Sequence, residues 1–123
     1  MIHPTELTET DARHAIETGE FSDTIIRSRR NVVIVLTQGW CPQWAVMNRW
    51  LEKLINGKEP VDLEIDLYSL VYDRVPYFYE FLAFKEVTFR NYSVPYLRYY
   101  VDGQLIGESN YCSRRQFFAR FES

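Results

Sequence analysis

The chain has 123 residues, with 17 acidic and 14 basic side chains and a net charge of −3. This length suits one core, so we expect residues 1–123 to form a single domain. The charge balance differs from the clustered basic surface of nucleic-acid-binding proteins, which excludes that class of partner. The N-terminus lacks a signal-peptide pattern and no apolar run approaches membrane-spanning length, so we expect a cytoplasmic protein with no membrane partner.

The first third of the sequence predicts two helices and a buried strand. Thr8 or Thr10 is suited to cap a helix that ends at Gly19, because threonine and glycine favour those two termini. The segment Phe21-Ser22-Asp23 is suited to cap a second, shorter helix. The β-branched, apolar run Val32–Thr37 then predicts a strand that is covered on both faces.

One cysteine follows this strand at the predicted start of a helix. Gly39 ends the strand, and Pro42 suits the first turn of a helix, where its missing N–H costs nothing. Cys41 therefore lies at or near the N-cap, where free backbone N–H groups and the helix dipole favour a thiolate. A reactive cysteine is one interpretation, and a buried, inert cysteine is the alternative. The helix should run to about Asn56, with Trp44 on its apolar stripe.

The middle of the chain predicts a strand followed by an aromatic segment. Residues Val61–Leu67 alternate strictly between apolar and polar side chains, which indicates a strand with one apolar face. Aromatic side chains are frequent between Tyr68 and Tyr92, and Pro76 is suited to open a helix there. We interpret this segment as an enlarged, aromatic-rich helix.

The last third predicts a hairpin and a closing helix. Strands Tyr96–Val101 and Gln104–Ser109 are joined by Asp102-Gly103, which is a strong signal for a tight hairpin turn. The pattern Ser113-Arg114-Arg115-Gln116 is a capping box, and it precedes an apolar stretch of phenylalanines.

Two separated motifs resemble the thioredoxin family. The segment Trp40-Cys41-Pro42-Gln43-Trp44 is similar to the W-C-x-x-C turn of that family, with the last cysteine replaced. Ser93–Gly103 is similar to the cis-proline loop, the following strand and the hairpin turn. The resemblance implies an α/β fold of three layers. In it, a central mixed sheet of about four strands is flanked by helices, and the enlarged aromatic-rich helix precedes the cis-Pro loop.

The resemblance also implies roles for individual residues. Cys41 would be the catalytic thiol, and a cis Val94-Pro95 bond would position a substrate backbone beside it. Tryptophan cannot attack a disulfide, so Trp44 at the resolving position would prevent a dithiol cycle. The buried carboxylate that serves the second thiol is also absent, because Val35 occupies that position. The substrate-binding residues would be Trp40, Pro42, Trp44, Val94 and Pro95.

The second cysteine, Cys112, has two interpretations in this scheme. Matched to the family, Cys112 lies in the loop before the last helix, which borders the active-site surface, and is a candidate second catalytic thiol. The alternative is an unrelated free cysteine, because a disulfide requires Cα atoms within about 7 Å. Neither His3 nor His14 has metal-ligand spacing with the cysteines, so we expect no metal site and no cofactor.

These observations predict a thioredoxin-like protein with one active-site cysteine. We expect a monothiol redox or mixed-disulfide protein-binding role in thiol homeostasis, with weak or no dithiol reductase activity. The partner would be a protein disulfide or a small thiol. The alternative is a non-catalytic protein-interaction module that keeps the thioredoxin peptide groove and has lost redox chemistry.

Overall fold

A computed structural model describes residues 1–122 and has at its centre one mixed β-sheet of five strands. The strands, numbered along the chain, are β1 (Ile2–Glu6), β2 (Asn31–Thr37), β3 (Ile65–Val71), β4 (Tyr96–Val101) and β5 (Gln104–Ser109). Their order across the sheet is β1-β3-β2-β4-β5. The first three are parallel, whereas β4 runs antiparallel to both β2 and β5.

Helices cover both faces of this sheet. They are α1 (Glu9–Thr18), α2 (Asp23–Ile26), α3 (Pro42–Ile55), α4 (Phe78–Val87) and α5 (Arg114–Ala119). On one face, apolar residues of α1, α2 and α4 pack on alternate residues of β2, such as Val32 and Ile34. On the other face, α3 and α5 pack on the intervening residues, such as Val33 and Val35. Strand β2 is therefore buried on both faces, as its continuous apolar run predicts.

Local capping signals in the sequence correspond to real element boundaries. Thr8, rather than Thr10, caps α1 in a reciprocal capping box with Asp11. Ser113 caps α5 in the same way with Gln116. The hairpin between β4 and β5 is confirmed, and its two turn residues, Asp102 and Gly103, have the positive φ angles of 51° and 78° that such a turn requires.

The structure differs from the sequence-based predictions in three respects. The sheet has five strands instead of about four, because residues 2–6 add an edge strand parallel to β3. The strand predicted at Val61–Leu67 begins at Ile65 and continues to Val71, since it pairs with both β1 and β2. The aromatic-rich helix is α4, which has only ten residues and begins at Phe78, two residues after Pro76. A short 3-10 helix, Tyr72–Arg74, occupies part of the preceding aromatic segment.

A buried arginine on β4 joins the sheet to the segment that follows α1. The Arg98 guanidinium donates to Glu20 Oε2 at 2.7 Å and to the hydroxyls of Tyr96 and Tyr100, each at 2.8 Å. It also stacks on the ring of Phe89, 3.8 Å from the ring centroid. Burial raises the pKa of Tyr100 above its ordinary value, although the nearby guanidinium acts in the opposite direction. The phenol therefore stays protonated and donates to Glu20 Oε1.

Candidate functional site

The site begins in the turn between β2 and α3. Cys41 is the N-cap residue of α3, with extended φ and ψ of −72° and 119°, and Pro42 occupies the first turn. The backbone N–H of Gly39 donates to Asp73 Oδ1 at 2.9 Å. The exposed guanidinium of Arg74 lies against Gly39, so a larger residue at this position would displace that side chain. The turn that carries the cysteine is thus fixed against the 3-10 helix.

A glutamine in this turn orients two aromatic side chains. Gln38 accepts a hydrogen bond from the indole Nε1 of Trp40 and donates from Nε2 to the Tyr72 hydroxyl at 3.2 Å. Trp40 is nevertheless 66% exposed, whereas Tyr72 is fully buried. Burial raises the pKa of Tyr72, so its phenol remains neutral at physiological pH. An exposed indole is therefore held in a defined orientation next to the cysteine.

The cysteine meets the loop before β4, as the sequence motifs lead us to expect. The Sγ atom of Cys41 lies 3.5 Å from the carbonyl oxygen of Val94, toward which the thiol can donate. The Val94-Pro95 peptide bond is cis. Cys41 is only 5% exposed, so the sulfur is less accessible than its place at a helix N-terminus suggested. The thiol is covered because the loop before β4 lies directly against it.

A groove opens beside this thiol. Its volume is about 560 Å³, and four parts of the chain line it: the turn that carries Cys41, the 3-10 helix, one side of α4, and the loop before β4. Its apolar lining includes Tyr72, Phe78 and Leu82. Cys41 and Val94 are both among the residues that line it.

Two polar side chains, one buried and one half-buried, hold the loop that forms one wall of the groove. Lys85 of α4 is 1% exposed, and its ammonium donates to the carbonyls of Asn91 and Ser93, at 3.1 and 2.8 Å. The side-chain amide of Asn110 donates to the carbonyls of Ser93 and Pro95, at 3.1 and 3.0 Å. Sequence reasoning missed both residues, because only the folded chain places them under this loop.

The buried lysine predicts a pH dependence of stability. Burial lowers the pKa of Lys85 from 10.5 to about 8, although Glu86 acts in the opposite direction. Between these two values the unfolded chain holds a proton that the folded chain has lost, so stability from this group rises with pH. We expect wild type to gain stability relative to Lys85→Met as pH rises from 8 to 10.5. Urea unfolding of both proteins at several pH values measures it, and a constant difference would contradict it.

The remaining expected site residues lie on or near the same turn. Pro42 and Trp40 line the groove, but Trp44 does not. Trp44 is half-buried and packs against the core between the sheet and α3, as its apolar stripe predicts. Val35 is fully buried in this same core.

The structure does not bring the two cysteines together in the groove. Both are unpaired thiols. Cys112 is buried in the core that contains α3 and α5, with its sulfur 3.6 Å from the Tyr99 hydroxyl. It does not line the groove, which favours the interpretation of Cys112 as an unrelated core cysteine.

Residues 1–122 contain neither a metal-binding cluster nor a membrane-spanning helix. Across residues 1–122, no cluster of three or more His, Cys, Asp or Glu side chains is arranged to hold a metal ion. Within the same residues, no helix has the length and apolar character needed to cross a bilayer.

The fold and the position of the cysteine define a protein of the thioredoxin fold. No family model matches the sequence, and no curated protein matches it. Solved structures do match. A protein described as a provisionally assigned oxidoreductase with a thioredoxin fold has 15% identity and a TM-score of 0.64, with 97% of this chain and 94% of that chain covered.

Two plant thioredoxins match with slightly lower TM-scores. Thioredoxin O1 from Arabidopsis thaliana, in its oxidized state, has 14% identity and a TM-score of 0.60, covering 96% of this chain and 92% of its own. Thioredoxin O2 from the same plant has 13% identity and a TM-score of 0.57, covering 96% and 89%. At such identities the likeness establishes the fold, while the chemistry has to be argued from this chain's residues.

Proposed function

We propose that this protein forms reversible mixed disulfides through Cys41 with a partner protein or a small thiol. The proposal rests on the contact between the Cys41 sulfur and the Val94 carbonyl oxygen, 3.5 Å apart, because both residues line the groove. An extended segment that lies in this groove would place its own sulfur next to Cys41. Two unpaired thiols also suit a reducing compartment, and we propose a cytoplasmic location.

The backbone of the groove supports this role. Within residues 1–122, the N–H of Val94 makes no hydrogen bond, and its carbonyl accepts only the weak hydrogen bond from the Cys41 thiol. An extended peptide can pair with such a residue as an added strand. Val94 would in this way align the partner's backbone, while Trp40 and Pro42 contact its side chains.

The reaction proceeds by thiol–disulfide exchange. The Cys41 thiolate attacks one sulfur of a partner disulfide, a bond forms between Cys41 and that sulfur, and the other partner sulfur leaves as a thiolate. Trp44 supplies no second thiol at the position three residues later. The mixed disulfide therefore persists until an external thiol attacks it, and dithiol reductase activity should be weak or absent.

The test is capture of a disulfide-activated peptide by the native protein. We expect wild type and Cys112→Ser to form the mixed disulfide and Cys41→Ser to form none, because only Cys41 lies at the groove. Intact mass and peptide mapping identify the modified residue. Modification of Cys112 alone, or of Cys41 only after denaturation, would contradict the proposal.

The burial of Cys41 favours a second candidate function. A thiol that is 5% exposed is compatible with a non-catalytic interaction module that uses the groove without forming a covalent bond. Such a module would bind the same peptide equally well after Cys41→Ser, whereas mixed-disulfide formation would be lost. Measuring noncovalent and covalent binding on both proteins separates the two functions.

A further inference from the structure

Among residues 1–122, the groove beside Cys41 is lined by one acidic side chain and by no basic side chain. Its lining consists of aromatic, aliphatic and neutral polar residues, with Glu86 of α4 as the one carboxylate. The neighbouring Lys85 does not line the groove, and its ammonium donates to the carbonyls of Asn91 and Ser93. The groove therefore has a negative charge in largely apolar surroundings.

This carboxylate has no partner within the described part of the chain. None of the nine ion pairs among residues 1–122 includes Glu86, although six of the other glutamates form them. Glu86 is half-buried, so part of its hydration is already lost. A half-buried carboxylate interacts more strongly with an incoming cation than a fully hydrated one does.

Two exposed aromatic rings at the same groove are suited to the same kind of ligand. Trp40 is 66% exposed and Tyr92 is 76% exposed, and both line the groove. The face of an aromatic ring attracts a cation, and tryptophan and tyrosine do so well. Gln38 already orients the indole of Trp40, which reduces the cost of fixing it on binding.

We propose that the groove selects partner segments that carry an arginine or lysine close to the reactive cysteine. This inference rests on the mixed-disulfide role proposed above. The cationic side chain would lie between the aromatic rings and the Glu86 carboxylate, while the partner's sulfur meets Cys41. Arginine suits this position particularly, because its planar guanidinium stacks on aromatic rings and pairs with a carboxylate.

A negatively charged partner would be disfavoured at two points. Its charge would approach the unpaired Glu86 carboxylate and, once Cys41 ionises, the attacking thiolate as well. Like charges at short distance raise the energy of the encounter, and this repulsion weakens as salt is added. The selection should therefore depend on ionic strength.

The experiment uses three peptides that differ only in the residue next to one cysteine: arginine, alanine or glutamate. The cysteine is activated as a mixed disulfide with thionitrobenzoate, whose release gives the rate. The Cys41 thiolate attacks the peptide sulfur, the Cys41–peptide disulfide forms, and thionitrobenzoate leaves as a thiolate. Cys112→Ser protein is used so that Cys41 is the only thiol that can react.

We expect the arginine peptide to react about 3- to 10-fold faster than the glutamate peptide at low salt, as electrostatic steering predicts. In Glu86→Gln this ratio should fall toward one. We compare the ratio of the arginine and glutamate rates and not the absolute rates. Removing a carboxylate near Cys41 also alters the reactivity of the thiolate toward all three peptides, and the ratio cancels this effect. Glu80→Gln is the matched control: it removes the same charge from the same helix outside the groove and should leave the ratio unchanged.

The outcomes separate this inference from the function on which it rests. Equal rates for the three peptides would overturn the cationic preference while leaving mixed-disulfide formation intact. An unchanged ratio in Glu86→Gln would overturn the role of Glu86. Failure of all three peptides to form an adduct with the native protein would overturn the proposed function itself.

Discussion

Replacing Arg98 with methionine should lower the free energy of unfolding by about 3 kcal/mol, the lower end of the range for breaking a buried ion pair from one side, because Glu20 is only half-buried. Methionine keeps an unbranched apolar stem of similar length but cannot donate. The carboxylate of Glu20 and the hydroxyls of Tyr96 and Tyr100 would lose their shared donor. Stacking on Phe89 would be lost as well. Urea unfolding followed by circular dichroism gives the difference.

An exposed ion pair provides the control for this measurement. Arg114 pairs with Glu59 at the surface, and Arg114→Met should change stability by less than about 1 kcal/mol. Adding Glu20→Gln to Arg98→Met should recover part of the loss, because the half-buried carboxylate that has lost its arginine is then replaced by a neutral amide. Equal losses for Arg98→Met and Arg114→Met would show that the buried network contributes little.

Replacing Trp44 with cysteine should cost stability and add dithiol chemistry. The indole is half-buried against the core, so its removal should lower the free energy of unfolding by about 2 kcal/mol, below the range for a fully buried tryptophan. A cysteine three residues after Cys41 recreates the C-x-x-C spacing on the first turn of α3. The second thiol could then resolve the mixed disulfide, so multiple-turnover reduction of insulin should become measurable.

Trp44→Ser is the matched control, because it leaves nearly the same space and supplies no thiol. Both variants should lose similar stability, and only Trp44→Cys should gain turnover. Equal activity of the two variants would mean that residue 44 cannot reach the sulfur of Cys41. Wild-type stability in both would mean that the indole makes no useful contact with the core.

Features determined by neighbouring residues were predictable from the sequence. The caps at Thr8 and Ser113 and the Asp102-Gly103 turn depend on side chains within a few positions of one another. Strand β1 was not predictable in this way, because its hydrogen-bonded partner β3 is about 60 residues further along the chain. The start of β3 was misplaced for the same reason: pairing with two strands, rather than its own alternation, determines where it begins.

The candidate site was likewise predictable only where local sequence motifs determine it. The motifs around Cys41 and Val94 indicated that these residues meet, and the structure places their atoms in contact. The burial of Cys41 depends on how closely the opposing loop packs, which composition does not encode. Lys85 and Arg98 were missed because a charged residue in a helix or strand normally faces solvent. Their burial is stabilised by acceptors, such as Glu20 for Arg98, that only the folded chain brings near.

The hydrogen bonds beneath the loop before β4 have a consequence for the thermodynamics of binding. Lys85 and Asn110 together make four hydrogen bonds to the carbonyls of Asn91, Ser93 and Pro95, so this wall of the groove is ordered before any ligand arrives. Ordering a flexible loop on association costs conformational entropy. Here the loop is already ordered in the folded protein, so this entropy is lost on folding and not on binding. On binding, mainly the partner segment loses conformational entropy. We therefore expect that even a short segment can bind this groove.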